Sequence, residues 1–106
     1  MSLDAKTMLT KLRGELDRIY GDRLVKLILF GSQARGDFSS GSDFDVMIIL
    51  KGPVRPGVEI ARTGVMTARL SLGYDIVISC VFVSEDRFSK EQSPFMINVR
   101  REGIAA

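Results

Sequence analysis

The chain has 106 residues, 45% of them hydrophobic and 26% charged, with a formal net charge of +2. That length suits one domain and is short for two, so residues 1–106 are read as a single domain; no run approaches the ~18 apolar residues of a membrane span and no secretory leader pattern opens the chain, so a cytoplasmic protein with no membrane partner is expected. Histidine is absent, which excludes Ser-His-Asp triads, Cys-His pairs and His-containing zinc sites, and leaves carboxylates, Lys, Arg, Tyr and hydroxyls; carboxylates used together favour hard cations such as Mg²⁺.

Ala5, Met8, Leu9, Leu12, Leu16, Ile19 and Tyr20 recur at three- and four-residue steps, which predicts a helix of about four turns ending at Gly21. Leu24 to Phe30 reads as a short buried strand closed by Gly31. A second strand is predicted from Asp43 to about Lys51, its near-continuous apolar run implying cover on both faces. Gly52 to Gly57 is a turn by composition. Val58, Ala61, Val65, Ala68 and Leu72 recur at helical spacing and predict a second helix ending at Gly73. A third strand is predicted from Tyr74 to Val83, with Asp75 at its start and Cys80 inside it as a buried small hydrophobe; a single cysteine cannot form an internal disulfide. Ser84-Glu85-Asp86 looks like a cap opening a short helical turn, and Ser89 to Gln92 is expected to be an exposed loop. Ser93-Pro94 has the composition of an N-cap and first helical position, opening a last helix with Phe95, Met96 and Val99 on one side and Gly103 at its end. The methionines at 8, 47, 66 and 96 fit core positions. Arg100 and Arg101 are read as a solvated helix end, so no direct nucleic-acid binding is expected. The pattern is helix, strand, strand, helix, strand, helix around one small sheet, an α/β or α+β domain.

The segment from Gly31 to Val46 carries the chemistry, in two parts. Gly31 and Ser32 follow a strand and precede a short segment able to start a helix, where free N–H groups, the Ser32 hydroxyl and the Arg35 guanidinium can receive phosphate oxygens. A Gly-Ser pair after a strand is also an ordinary turn, and the G-x-x-x-x-G-K-[ST] pattern is missing, so this is not a P-loop. Asp43 and Asp45, two apart at a strand entry, share one face while Phe44 takes the other, an arrangement poor for stability and good for a divalent cation. A solvated strand entry looks the same. Further along, Asp75 can join the pair if its strand lies beside theirs; otherwise it is a strand-end acid in solvent.

Gly31-Ser32, ten residues from Gln33 to Ser42, and then Asp43-Phe44-Asp45, with a third acid later, resembles the DNA polymerase β-like nucleotidyltransferases. Within that superfamily the chain is most similar to the MNT-type minimal nucleotidyltransferases, antitoxins found beside HEPN toxins. The resemblance implies a small mixed sheet flanked by helices, the palm-like nucleotidyltransferase fold. It places Gly31 and Ser32 at the triphosphate, Asp43 and Asp45 on two Mg²⁺ ions, and Asp75 on the metal nearer the incoming hydroxyl. Many relatives carry a basic residue where this chain has Gln33, so Arg35 and the metals are expected to neutralise the phosphates. The implied activity moves a nucleoside monophosphate, AMP from ATP, to a hydroxyl. With no acceptor-holding domain in 106 residues, a second polypeptide is expected to supply it, a HEPN-type toxin by resemblance. Two other readings stand beside this one: a non-catalytic partner-binding module of the same fold, and an enzyme acting on a small molecule such as an aminoglycoside.

Overall fold

The computed structural model describes residues 5–31, 34 and 43–106. The elements in order are α1 (Ala5–Tyr20), a 3-10 turn (Gly21–Arg23), β1 (Leu24–Phe30), β2 (Asp43–Leu50), α2 (Pro56–Tyr74), β3 (Val77–Ser84), α3 (Glu85–Lys90), α4 (Pro94–Glu102) and β4 (Ile104–Ala105). The four strands form one mixed sheet in the order β3-β2-β1-β4. β1 runs antiparallel to β2 and β4, and β2 runs parallel to β3. One edge of the sheet therefore gathers the end of β1 with the starts of β2 and β3.

Period-two alternation splits the central strands between two cores. On one face Leu27, Leu29, Phe44, Val46 and Ile48 pack with Met8, Leu9, Leu12 and Leu16 of α1 and with Met66 and Leu70 of α2. On the other, Ile28, Met47, Ile49 and Val83 pack with Met96 and Val99 of α4. Both faces of β2 are covered, as its continuous apolar run requires; Val46 through Leu50 are all fully buried. The methionines at 8, 47, 66 and 96 lie in these cores.

Local chemistry sets the helix boundaries. Ser84 and Ser93 cap α3 and α4, their hydroxyl oxygens accepting from the N–H groups of Arg87 and Met96. Pro94 occupies the start of α4. The expected loop from Ser89 to Gln92 begins later than its composition suggests, because α3 continues through Lys90, supported by a Lys90–Asp86 ion pair one turn back.

The buried face of α2 is not the one its apolar spacing outlines, and the bounds of α2 and β3 differ from those expected. The regular stripe Val58, Ala61, Val65, Ala68 and Leu72 faces solvent, with Val65 85% and Leu72 86% exposed; the buried face is Glu59, Thr63, Met66 and Leu70. That face wins because its one charge is fully partnered. The Glu59 carboxylate accepts from the Tyr20 hydroxyl at 2.7 Å, from Arg62 Nε at 2.9 Å and from Arg23 Nη1 at 3.4 Å. Burial pushes the Glu59 carboxyl up, but the Tyr20 and Arg62 hydrogen bonds and the Arg62 and Arg23 charges outweigh it and hold it below the usual value. The helix also passes through Gly73 and ends at Tyr74, so β3 starts at Val77 instead of Tyr74. Asp75 is the helix C-cap, in the left-handed conformation at φ 53° and ψ 51°. Asp is one of the few residues with a side chain that tolerates this region. Ser71 ties the helix end to the sheet: its carbonyl accepts from Ile76 N–H and its hydroxyl from Ile78 N–H.

The sequence reading missed β4. After Gly103 the chain adds Ile104–Ala105 to the free side of β1, pairing Ile28 with Ala105 and Leu29 with Ile104. Gly103 makes this possible, since a Cβ there would overlap the Ile28 side chain and the Val99 carbonyl.

Candidate active site

The edge where β1 ends and β2 and β3 begin brings Gly31, Asp43 and Asp45 together. Phe30 of β1 pairs with Asp45 of β2. Phe44 is fully buried against α1 and α2, so Asp43 and Asp45 project to the opposite face, the side of α4. There α3 and α4 leave the sheet uncovered: Asp43, Val77 and Ser79 are exposed and Asp45 is partly so.

Gly31 is shaped by its neighbour. It adopts φ +78°, and a Cβ built on it would lie 2.8 Å from Asp45 Oδ2. Glycine is thus required twice, for the backbone angle and for the space the carboxylate occupies. The Ala34 N–H donates to the Gly31 carbonyl at 3.2 Å, and Ala34 packs against the core that includes α1. The predicted phosphate ligands Ser32 and Arg35 lie outside the described residues.

Neither Asp43 nor Asp45 has an ion-pair partner among the described residues. Partial burial raises the Asp45 carboxyl above its usual value, and the adjacent Asp43 charge raises it further. Two carboxylates on one strand face, one of them unsettled by the other, fit a hard divalent cation, which would relieve the repulsion.

Asp75 does not join them. It precedes the first paired residue of β3, and parallel pairing sets Val77 beside Asp43 and Ser79 beside Asp45. Among the described residues no three acids are grouped closely enough to hold a metal ion. The structure brings Asp43 and Asp45 together, with the Ser79 hydroxyl in register beside Asp45, and leaves Asp75 at the end of α2. The reason lies in α2, which runs through Gly73 to Tyr74 and takes a left-handed cap at Asp75, so that β3 starts only at Val77. Cys80, next to Ser79, turns to the α1 and α2 side, and burial pushes its thiol up to about 11, so it stays protonated at neutral pH.

A cavity of about 180 Å³ adjoins the pair, lined by Phe30, Gly31, Phe95, Asn98, Val99 and Glu102. The Phe30 and Phe95 rings meet edge to face, 5.4 Å between centroids and 82° between planes. Nothing in the spacing of these residues marks them in the sequence, because they converge only once β4 draws the end of α4 against β1.

Residues 9–95 match the family described as Nucleotidyltransferase domain. Two proteins of Methanocaldococcus jannaschii, each named "putative protein adenylyltransferase", are 36% identical over 79% of this chain and 79% of their own, and 38% identical over 68% and 72%. Among solved structures, a chain from the toxin-antitoxin MntA-HpeT, in a variant with two aspartates two positions apart changed to glutamate, superposes with a TM-score of 0.58 at 14% identity, over 90% of this chain and 69% of that one. A "putative nucleotidyltransferase" from Sulfolobus solfataricus also gives 0.58, at 17% identity over 95% and 80%. The structural matches show a shared fold. The family match spans β1, β2 and β3 and the whole carboxylate edge, and by it this chain belongs to the nucleotidyltransferase-domain family.

Proposed function

We propose that the chain transfers AMP from ATP to a hydroxyl group, using one divalent cation, Mg²⁺, held by Asp43 and Asp45. The observation that carries this is the pair itself: two carboxylates on one face, without cationic neighbours among the described residues, against a glycine whose missing side chain makes room for one of them. Bound there, the cation would offset the charge of the triphosphate and polarise its α-phosphorus. Gly31, Ser32 and Arg35 hold the triphosphate. The acceptor oxygen attacks the α-phosphorus, the bond to the bridging oxygen breaks, pyrophosphate leaves with the electron pair, and the hydroxyl proton passes to solvent or a carboxylate.

The acceptor is a protein hydroxyl, such as a tyrosine, on a HEPN-type toxin, and the chain acts as the antitoxin. The names of the archaeal relatives and the toxin-antitoxin origin of one structural match support this. The single sheet with helices on both faces supports one domain over residues 1–106, working in the cytoplasm where ATP is plentiful. No helix among the described residues is long and apolar enough to cross a membrane.

A second reading is favoured by Ser79. The strand position beside Asp45 holds a hydroxyl and no acid, so the second metal and the base that a third carboxylate would supply are missing there, as in a module that binds its partner without chemistry. ATP labelled at the α- or the γ-phosphate separates the two. With Mg²⁺ and the partner protein, transfer of the α-label alone, abolished in Asp45→Asn, supports the enzyme. A partner bound tightly but never labelled, by wild type or by Ser79→Asp, supports the binder.

A further inference from the structure

The cavity beside the carboxylate pair is not explained by the triphosphate or the cation. Phe30 separates the two places. On its β2 side stands Asp45; on its other side β4 and the end of α4 bring up Asn98, Val99 and Glu102. Adjacent strands lie about 5 Å apart, so a group in the cavity is one ring's width from the carboxylate edge. The volume, about 180 Å³, is below the ~300 Å³ at which pockets for whole drug-sized ligands begin. It suits one planar ring system, with the rest of the ligand lying outside, toward Gly31.

The lining matches such a ring. Phe95 is 42% exposed although it is a large aromatic at the first turn of a helix. It stands perpendicular to Phe30, and the two make a corner in which a flat heterocycle can stack on one ring and meet the edge of the other. At the rim, Asn98 carries both an amide donor and a carbonyl acceptor, and Glu102 carries acceptors only. Arg101 donates to Asn98 Oδ1 at 3.3 Å and lies 3.8 Å from Glu102 Oε1, with both contacts in solvent, so these side chains are free to re-aim. An amide matches the amino and ring-nitrogen edge of adenine, and a carboxylate accepts from an exocyclic amino group.

We infer that this cavity seats the base of the nucleotide, a purine, with Phe95 as its stacking surface and Asn98 and Glu102 reading its edge. The inference rests on the nucleotidyltransferase reading of the Asp43–Asp45 edge and adds the part that chooses among nucleotides.

Calorimetric titration of the protein in Mg²⁺ with ATP, GTP, CTP and inorganic tripolyphosphate tests it. ATP or GTP is expected to bind about tenfold tighter than CTP and tripolyphosphate, and the better of the two identifies the purine. Phe95→Ala is expected to weaken that purine nucleotide by about tenfold, in line with the loss of one base–aromatic stack, and to leave tripolyphosphate unchanged. Asn98→Ala and Glu102→Gln, both at exposed positions, keep the test open if Phe95→Ala perturbs the fold; each is expected to narrow the margin of purine over CTP. Purine nucleotides binding no tighter than tripolyphosphate, or indifferent to all three variants, would overturn the base site while leaving the triphosphate site standing. Failure of every ligand, tripolyphosphate included, would overturn both.

Discussion

Replacing Asp45 by Asn is predicted to stabilise the protein in the absence of divalent cations while removing its response to them. Asp43 and Asp45 are two residue steps apart on an extended strand, about 6.7 Å. Two like charges at that distance repel by ~0.6 kcal/mol in bulk water and by ~2.5 kcal/mol at the effective dielectric of a protein surface. Asp43 is exposed and Asp45 only partly covered, so solvent screening puts the value near the lower end, about 1 kcal/mol. For a chain of this size that corresponds to a rise in Tm of about 4 °C, measured in EDTA at neutral pH. The sign follows from the raised Asp45 carboxyl. The folded state holds this proton more tightly than the unfolded chain does, so the penalty is absent below the ordinary carboxylate pKa and grows as pH rises through the higher folded value. The advantage of the variant should therefore shrink as pH is lowered toward 4. Added Mg²⁺ should raise the wild-type Tm, by about 1.4 kcal/mol in stability at ten times its dissociation constant, and leave Asp45→Asn where it was. A variant less stable than wild type in EDTA, or equally responsive to Mg²⁺, would refute the view that the pair is an unrelieved cation site.

Gly31→Ala forces a side chain into φ +78° and against the Asp45 carboxylate; a loss of about 1–2 kcal/mol in urea denaturation, together with loss of the Mg²⁺ response, is expected. Glu59→Ala strands the Tyr20 hydroxyl and removes the partner of Arg62 and Arg23. Because both arginines stay partly solvated, the expected cost is about 2–4 kcal/mol, with Glu59→Gln milder since its amide oxygen still accepts from Tyr20. As the Glu59 carboxyl is held low, its contribution should be full above the ordinary carboxylate pKa and vanish as pH falls through the folded value. Val65→Lys and Leu72→Lys, at positions 85% and 86% exposed, should each change stability by less than about 0.5 kcal/mol; a drop of several kcal/mol in either would show that this face of α2 is covered after all.

Much of the fold was legible because hydrophobic period and burial coincided. The bounds of α1 and β1 follow from stripes and stops that tertiary packing did not override, and the run Val46 to Leu50 announced a strand with both faces covered. Asp43 and Asp45 were placed correctly on one face, opposite Phe44, for the same reason. α2 shows where period alone fails. Two faces of that helix are regular, and the less apolar one is buried because Glu59 finds Tyr20 and two arginines on other turns and elements, a satisfaction that no local pattern reveals. Asp75 is set apart from the pair by the same helix: a left-handed cap at a non-glycine residue gives little warning in sequence, and with it the strand register starts only at Val77. β4 and the cavity beside Phe95 depend on a long-range contact across Gly103, and two strand residues carry too little pattern to be read.

AMP transfer to a partner is tested most directly by the mass of the acceptor. The gene for this chain and its genomic neighbour would be expressed together, with the chain either wild type or Asp45→Asn, and the neighbour's intact mass measured in each case. A neighbour heavier by one or more adenylyl groups, on a hydroxyl side chain, is expected only with the wild-type chain. A neighbour of unmodified mass in both, recovered bound to the chain, would contradict catalysis and leave a nucleotidyltransferase fold that works by binding.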